Sequence, residues 1–195
     1  MTDDPTRWTF RGTRRVYTSE WVNVDLDDVE IPGGPRFEHH VLRFPRASTG
    51  AVVINHDRVL LLWRHRFTTD TWGWEIPAGW SEQGEDPAQA VIREIREETG
   101  YEPHDVTPLI TYHPMTGISS QRYHVYLAQS ATLVGTHEAA EASRIDWIRT
   151  TDLPQLMTTG QITDGPSLTA LAVYLATTAP HGPLPGTTAV ADDGN

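Results

Sequence analysis

The sequence predicts an α+β or α/β-sandwich fold. Many short extended segments alternate with few helices, and only two stretches carry a clear helical signature. From Arg14 to Arg43 the pattern is extended. Arg15–Thr18 and Trp21–Asp25 alternate, Pro32–Pro35 reads as a turn, and Phe37–Phe44 continues as a strand. Two apolar runs follow, Ala51–Ile54 and Val59–Trp63, and the polar joint Asn55–Arg58 between them predicts a hairpin. Trp72–Pro77 is extended, and Pro87–Thr99 is the helix of the middle region. Later strands are expected at Thr107–Tyr112, Arg122–Leu127 and Arg144–Ile148. A second helix, Ser167–Ala176, follows Asp164-Gly-Pro166, where a proline at a helix start forfeits no hydrogen bond. The stretch from Thr177 to Asn195, rich in Pro, Gly, Thr and Asp, is expected to be disordered.

The 195 residues suffice for one ordinary domain with a small appendage. The longest clean apolar run, Val59–Trp63, is far too short to span a bilayer. Met1–Pro5 lacks the basic start and apolar core of a signal peptide, so a cytoplasmic location is expected, with no membrane partner. Cysteine is absent, which excludes disulfides, thiolate metal sites and thiol nucleophiles. All 15 basic residues are arginine, so Schiff-base chemistry and a P-loop lysine are excluded too. Against them stand 26 acidic residues, a net charge of −11 that repels a phosphate backbone. Nucleic-acid binding is therefore not expected.

The chemistry is concentrated between Gly79 and Tyr101. Asp86 is a good N-cap, Pro87 suits the first helical position, Gln89 completes a capping-box pattern, and Gly100 ends the helix. At roughly 100° per residue, Glu94, Glu97 and Glu98 share one face, while Ala88, Val91, Ile92 and Ile95 form a separate apolar stripe. Ala90 falls in the acidic sector, where its small side chain leaves room. Three convergent carboxylates behind a glycine-anchored loop suit a hard cation, Mg²⁺ or Mn²⁺, that itself binds phosphate oxygens. Such a cation lets an acidic protein handle an anionic substrate.

This stretch resembles the Nudix box, Gly-x5-Glu-x7-Arg-Glu-U-x-Glu-Glu-x-Gly-U, with U a bulky apolar residue. Gly79, Glu85, Arg93, Glu94, Ile95, Glu97, Glu98 and Gly100 match it, and Tyr101 stands where an aliphatic residue is usual. The resemblance implies an α/β/α sandwich around a mixed sheet, and hydrolysis of a nucleoside diphosphate linked to another moiety. It implies that Glu94 and Glu98 bind divalent ions with Glu97 assisting, and that the Ala78 carbonyl completes one ion's shell. Arg93 then orients the carboxylates, and Glu85 supports the loop.

The flanks, Leu61–Arg66 and Trp74–Gly79, are similar to the ADP-ribose and ADP-sugar diphosphatase branch, as is the extended N-terminal section. That likeness implies substrate contacts for Arg66 and Glu75. It also implies a homodimer in which residues 1–45 form a β-section, 46–176 the hydrolase domain, and Tyr17 or Trp21 stacks on the nucleobase across the dimer. His113–His124 resembles the branch's proline-containing loop, with Gln121 at an often acidic position and Trp80 at an often small one. The family's general base is often a glutamate before the last strand, here Glu138 or Glu141, with Glu141 better spaced to Trp147; Glu97 is the other candidate. Other diphosphates, or a ligand sensor without catalysis, are the competing readings.

Overall fold

The computed structural model describes residues 4–136 and 142–178. Three strands, β1 (Thr9–Thr18), β2 (Asn23–Glu30) and β3 (Arg36–Arg43), form an antiparallel N-terminal sheet in that order. The strand expected from Trp21 begins only at Asn23. Ser19 Oγ accepts from the backbone N–H groups of Trp21 and Val22 at 3.2 and 3.0 Å, so a side chain takes the donors a strand would pair. The sheet is held by charge on one face. Asp25, wholly enclosed, accepts from Arg15 and, at 2.8 Å, from Arg43 Nε, and Arg43 Nη2 reaches Asp27 at 2.6 Å. Its β3 edge is tied to the 113–121 loop: Leu42 N–H donates to the Ile118 carbonyl at 2.7 Å, and His39 Nε2 bonds the Gly117 carbonyl at 2.8 Å.

Seven strands make the central mixed sheet: β4 (Ser48–Asn55), β5 (Arg58–Arg66), β6 (Thr71–Glu75), β7 (Ala78–Trp80), β8 (Tyr101–Tyr112), β9 (Tyr123–Leu133) and β10 (Arg144–Arg149). The main order is β10-β5-β4-β9-β8, and among the described strands of this sheet only β4 and β9 run parallel. The β4–β5 hairpin pairs through Ile54↔Val59 and Asn55↔Arg58 and then splays. Farther from the turn β5 pairs with β6 and β4 with β7, while β10 lies along the other side of β5 and β9 along the other side of β4. The β6–β7 corner is thus wedged between the diverging strands, which carries Glu75, Ala78 and Gly79 to the sheet's open end.

Alternation along β4 fills two cores. Val52 and Ile54 join Leu61, Leu153, Ile162 and Leu171 on one face, against α2 (Leu153–Thr158) and α3 (Gly165–Thr178). Ala51 and Val53 join Leu60, Val91, Ile95 and Tyr126 on the other, against α1 (Pro87–Thr99). Each aliphatic side chain wholly buried there contributes on the order of 1.5–3 kcal/mol. The result is the α/β/α sandwich with a mixed sheet, plus the small N-terminal β-section. Among the described residues no helix is long and apolar enough to cross a membrane.

The helix α1 has the bounds its sequence indicates. Asp86 accepts from Ala88 N–H at 2.8 Å, and Gly100 closes the last turn at φ 74° by donating to the Arg96 carbonyl. A side chain at Gly100 would put Cβ 2.5 Å from the Gly135 carbonyl oxygen, so both space and backbone require glycine. Strand β8 starts six residues earlier than the sequence pattern suggests. Pro103 and Pro108 argue against a strand, but β8 lies at the sheet's edge, where a missing N–H breaks no ladder. The sequence pattern does not indicate α2, because six residues are too few to show a period. The tail from Ala179 lies outside the described residues, and the helix α3 includes Thr177 and Thr178.

Candidate active site

Several elements converge on one cavity of about 720 Å³: β5 with Arg64 and Arg66, the β6–β7 corner, α1, the loop before β4, the turn bearing Trp21, the 113–121 loop with Tyr123 after it, and the start of α3. The acidic face of α1 is not a uniformly solvated one. Glu98 is buried, Glu94 is mostly covered, and Glu97 is half exposed. Ala90, expected to leave room beside them, is itself wholly enclosed.

Arg93 organises the loop against the helix. It donates to Glu85 at 3.0 and 3.2 Å, to Glu94 at 2.8 Å, to Glu97 at 2.9 Å and to the Trp80 carbonyl at 3.0 Å. Glu85 also accepts from Glu82 N–H at 2.8 Å. Arg93 first, and that N–H second, hold the Glu85 carboxyl below its usual range. Glu98 receives Arg64 Nη2 at 2.7 Å on one oxygen and Ala78 N–H at 2.9 Å on the other. Burial nevertheless pushes its pKa up to about 7, because desolvation outweighs both partners. Gly79 makes this packing possible. A Cβ there would lie 2.1 Å from Glu94 Cδ, so the glycine is the cradle in which the Glu94 carboxylate sits.

The other sequence-predicted residues are placed as follows. Glu75 is gripped by Arg66 at 2.5 and 2.9 Å, a pairing that raises the Arg66 pKa. Gln121 lines the cavity, donating from Nε2 to Ser48 Oγ at 2.6 Å. Trp21 lines it too, with the Arg46 guanidinium of the same chain 4.9 Å from its ring centroid. Tyr17 sits exposed on β1, outside the cavity's lining residues. Trp80, packed on Phe44 at 5.5 Å, forms part of the wall. Glu138 and Glu141 lie outside the described residues.

Sequence reasoning did not single out Arg64, Arg46 or Asp164. Arg64 ends an apolar run, where a charge reads as a strand end; it is buried because Glu98 comes to meet it. Asp164 caps α3: its Oδ2 accepts from Ser167 N–H at 2.8 Å and Ser167 Oγ at 2.7 Å. Ser167 Oγ in turn accepts from Ile76 N–H at 3.1 Å, fixing the β6–β7 corner to α3.

As the side chains stand, no group of three carboxylates or imidazoles among the described residues is gathered for a metal, since Arg93 spans Glu85, Glu94 and Glu97. The donor chemistry still fits a hard divalent cation. The acceptors are all oxygen, and Glu98 keeps a carboxyl whose ionisation a further positive charge would favour.

A mixed sheet between helices, with an Arg-linked carboxylate helix under a glycine loop, defines the class. The chain belongs to the Nudix family and is a Nudix pyrophosphohydrolase: residues 44–171 match the NUDIX domain. It is 43% identical over 169 residues to the CMP-5'-(N-acetyl-N-hydroxy-3-aminopropyl)phosphonate hydrolase of Streptomyces rubellomurinus, covering 86% of this chain and 82% of that protein. It is 27% identical over 180 residues to the ADP-ribose pyrophosphatase of Mycobacterium tuberculosis, covering 89% and 86%. A solved structure of an ADP compounds hydrolase shares the fold, with a TM-score of 0.73 at 20% identity over 88% of this chain and 95% of that one.

Proposed function

We propose that the protein hydrolyses the phosphoanhydride of a nucleoside diphosphate joined to another moiety. ADP-ribose or an ADP-sugar, giving AMP and a sugar phosphate, is the leading substrate class, with Mg²⁺ as the cofactor and Mn²⁺ able to replace it. The observation that carries this reading is the shared cavity: Glu94, Glu97 and Glu98 line the same space as Trp21 and Trp80, so carboxylates for a cation and flat apolar rings for a base are adjacent.

Glu94, Glu98 and the Ala78 carbonyl would hold the cations, with Glu97 assisting. Bound there, they supply charge against the diphosphate and lower the pKa of water. The chain's own groups do the rest. Arg93 fixes the carboxylates, and the Arg66–Glu75 pair borders the site. A water oxygen attacks phosphorus, the bridging P–O bond breaks, and the water's proton passes to a carboxylate. Among the described residues Glu97 suits that task, being half exposed beside the cavity; Glu141 and Glu138 are the other candidates. The N-terminal sheet, with Phe10 and Tyr17 exposed on β1 and Trp8 just ahead of it, supports a homodimer in the same reading.

A second substrate reading comes from the 43% identical relative: a cytidine monophosphate linked to a phosphonate. Turnover of ADP-ribose, ADP-glucose and a CMP-phosphonate anhydride, with products separated by chromatography, tests both. Nucleoside monophosphate from the first two supports the leading reading. Product from the third alone transfers it to the cytidine class.

A further inference from the structure

A second cavity of about 520 Å³ adjoins the first, and Arg66, Glu75, Asp164 and Gly165 line both. Its remaining wall is mainly hydroxyl: Thr68 and Thr69 from the β5–β6 turn, Thr71 at the start of β6, and Thr163 ahead of α3. The Thr69 and Thr71 hydroxyls lie 2.7 Å apart, and Thr69 also reaches the Arg66 carbonyl at 3.3 Å. The charge here disfavours a phosphate that brings no cation with it. Among the described residues the one cation of the lining, Arg66, is already engaged by Glu75 through three hydrogen bonds, and Asp164 adds a second carboxylate. Among the described residues no lining side chain is aromatic, so a nucleobase finds no ring to stack on there, whereas Trp21 and Trp80 offer rings in the first cavity. A neutral group bearing several hydroxyls fits both facts. Threonine hydroxyls donate and accept, and Asp164, whose Ser167 bonds both fall on Oδ2, has Oδ1 as a further acceptor.

We infer that the threonine-lined cavity binds the hydroxyls of a sugar attached to the substrate's phosphates. This rests on the hydrolase reading above and deepens it. The sugar is either the nucleoside ribose or the distal sugar, and two ligands separate them. The test is isothermal titration of ribose 5-phosphate, AMP and inorganic pyrophosphate, each with Mg²⁺, into wild type and Thr71→Val/Thr163→Val. Valine keeps shape and strand preference while removing two hydroxyls. The expected result is a loss of about tenfold in affinity, as for two modest hydrogen bonds, with pyrophosphate unchanged and the serine pair restoring binding. Loss confined to ribose 5-phosphate assigns the distal sugar; loss confined to AMP assigns the nucleoside ribose; loss of both supports the site for either. Unchanged binding of both sugar phosphates, failure of both to bind wild type, or a parallel loss of pyrophosphate overturns the inference. Because no turnover is read, an enzyme inert toward every nucleotide but showing this pattern would refute the hydrolysis reading and leave the sugar site standing.

Discussion

Arg64 and Glu98 meet at 2.7 Å in the interior, with 7% and 5% of their side chains exposed, and form the floor of the carboxylate cavity. Removing one partner strands the other's charge. Arg64→Met is expected to lower unfolding free energy by about 3–5 kcal/mol, and adding Glu98→Gln to recover part of it, since the stranded carboxylate is then gone. Urea unfolding of the two single variants and the double measures the coupling. Additive effects would show that the pair is not energetically linked.

Gly79→Ala separates stability from chemistry. The new Cβ collides with the end of a flexible side chain, Glu94, and not with backbone, so the fold can absorb it by moving the carboxylate. The expected outcome is a melting temperature within a few degrees of wild type, at roughly 4–8 °C per kcal/mol for a small domain and less for a larger one. The Mg²⁺ concentration for half-maximal activity should rise severalfold. An unaltered Mg²⁺ dependence would show that Glu94 need not occupy this cradle.

Acid sensitivity should arise partly in the N-terminal sheet. Arg15 first, and Arg43 after it, hold the enclosed Asp25 carboxyl below its ordinary value of 3.8. A depressed folded pKa gives stability that is complete above the unfolded value and lost as pH falls through the folded one. Wild type is therefore expected to lose stability steeply below about pH 4, and Asp25→Asn to lose less over that interval. Thermal unfolding from pH 6 to pH 2.5 reads the difference.

Trp21→Ala should raise KM severalfold while changing kcat little, because stacking contributes alike to ground and transition states. Tyr17→Ala, on a side chain outside the cavity lining, should leave both constants near wild type in dilute monomer. Steady-state kinetics on the better of the nucleotide substrates decides this, with sedimentation run in parallel to fix the oligomeric state.

What the sequence reveals follows from how local each determinant is. The helix α1 is legible to the residue because its cap, proline and terminal glycine are all local signals. The box spacing likewise marks Gly79, Glu85 and Arg93 as parts of one loop-and-helix unit. The partners of those residues are not legible. Nothing local says that Arg64, on β5, will face Glu98 on α1, because the wedge of β6 and β7 between β4 and β5 sets that meeting. Trp21 has the alternating neighbours of a strand residue, yet the Ser19 turn aims it at the cavity. The prolines of β8 conceal an edge strand, which only the strand order discloses.

The most direct test is single-turnover hydrolysis of ADP-ribose in ¹⁸O-water by wild type, Glu94→Gln and Glu98→Gln, with Mg²⁺ present or chelated. Wild type with Mg²⁺ should give AMP and ribose 5-phosphate with ¹⁸O in one phosphate only, since one water attacks one phosphorus. Chelation, or either glutamine, should slow the reaction by at least about a hundredfold, as loss of a group central to the chemistry does. Undiminished turnover in both variants, or an equal rate under chelation, would contradict hydrolysis at the carboxylates of α1.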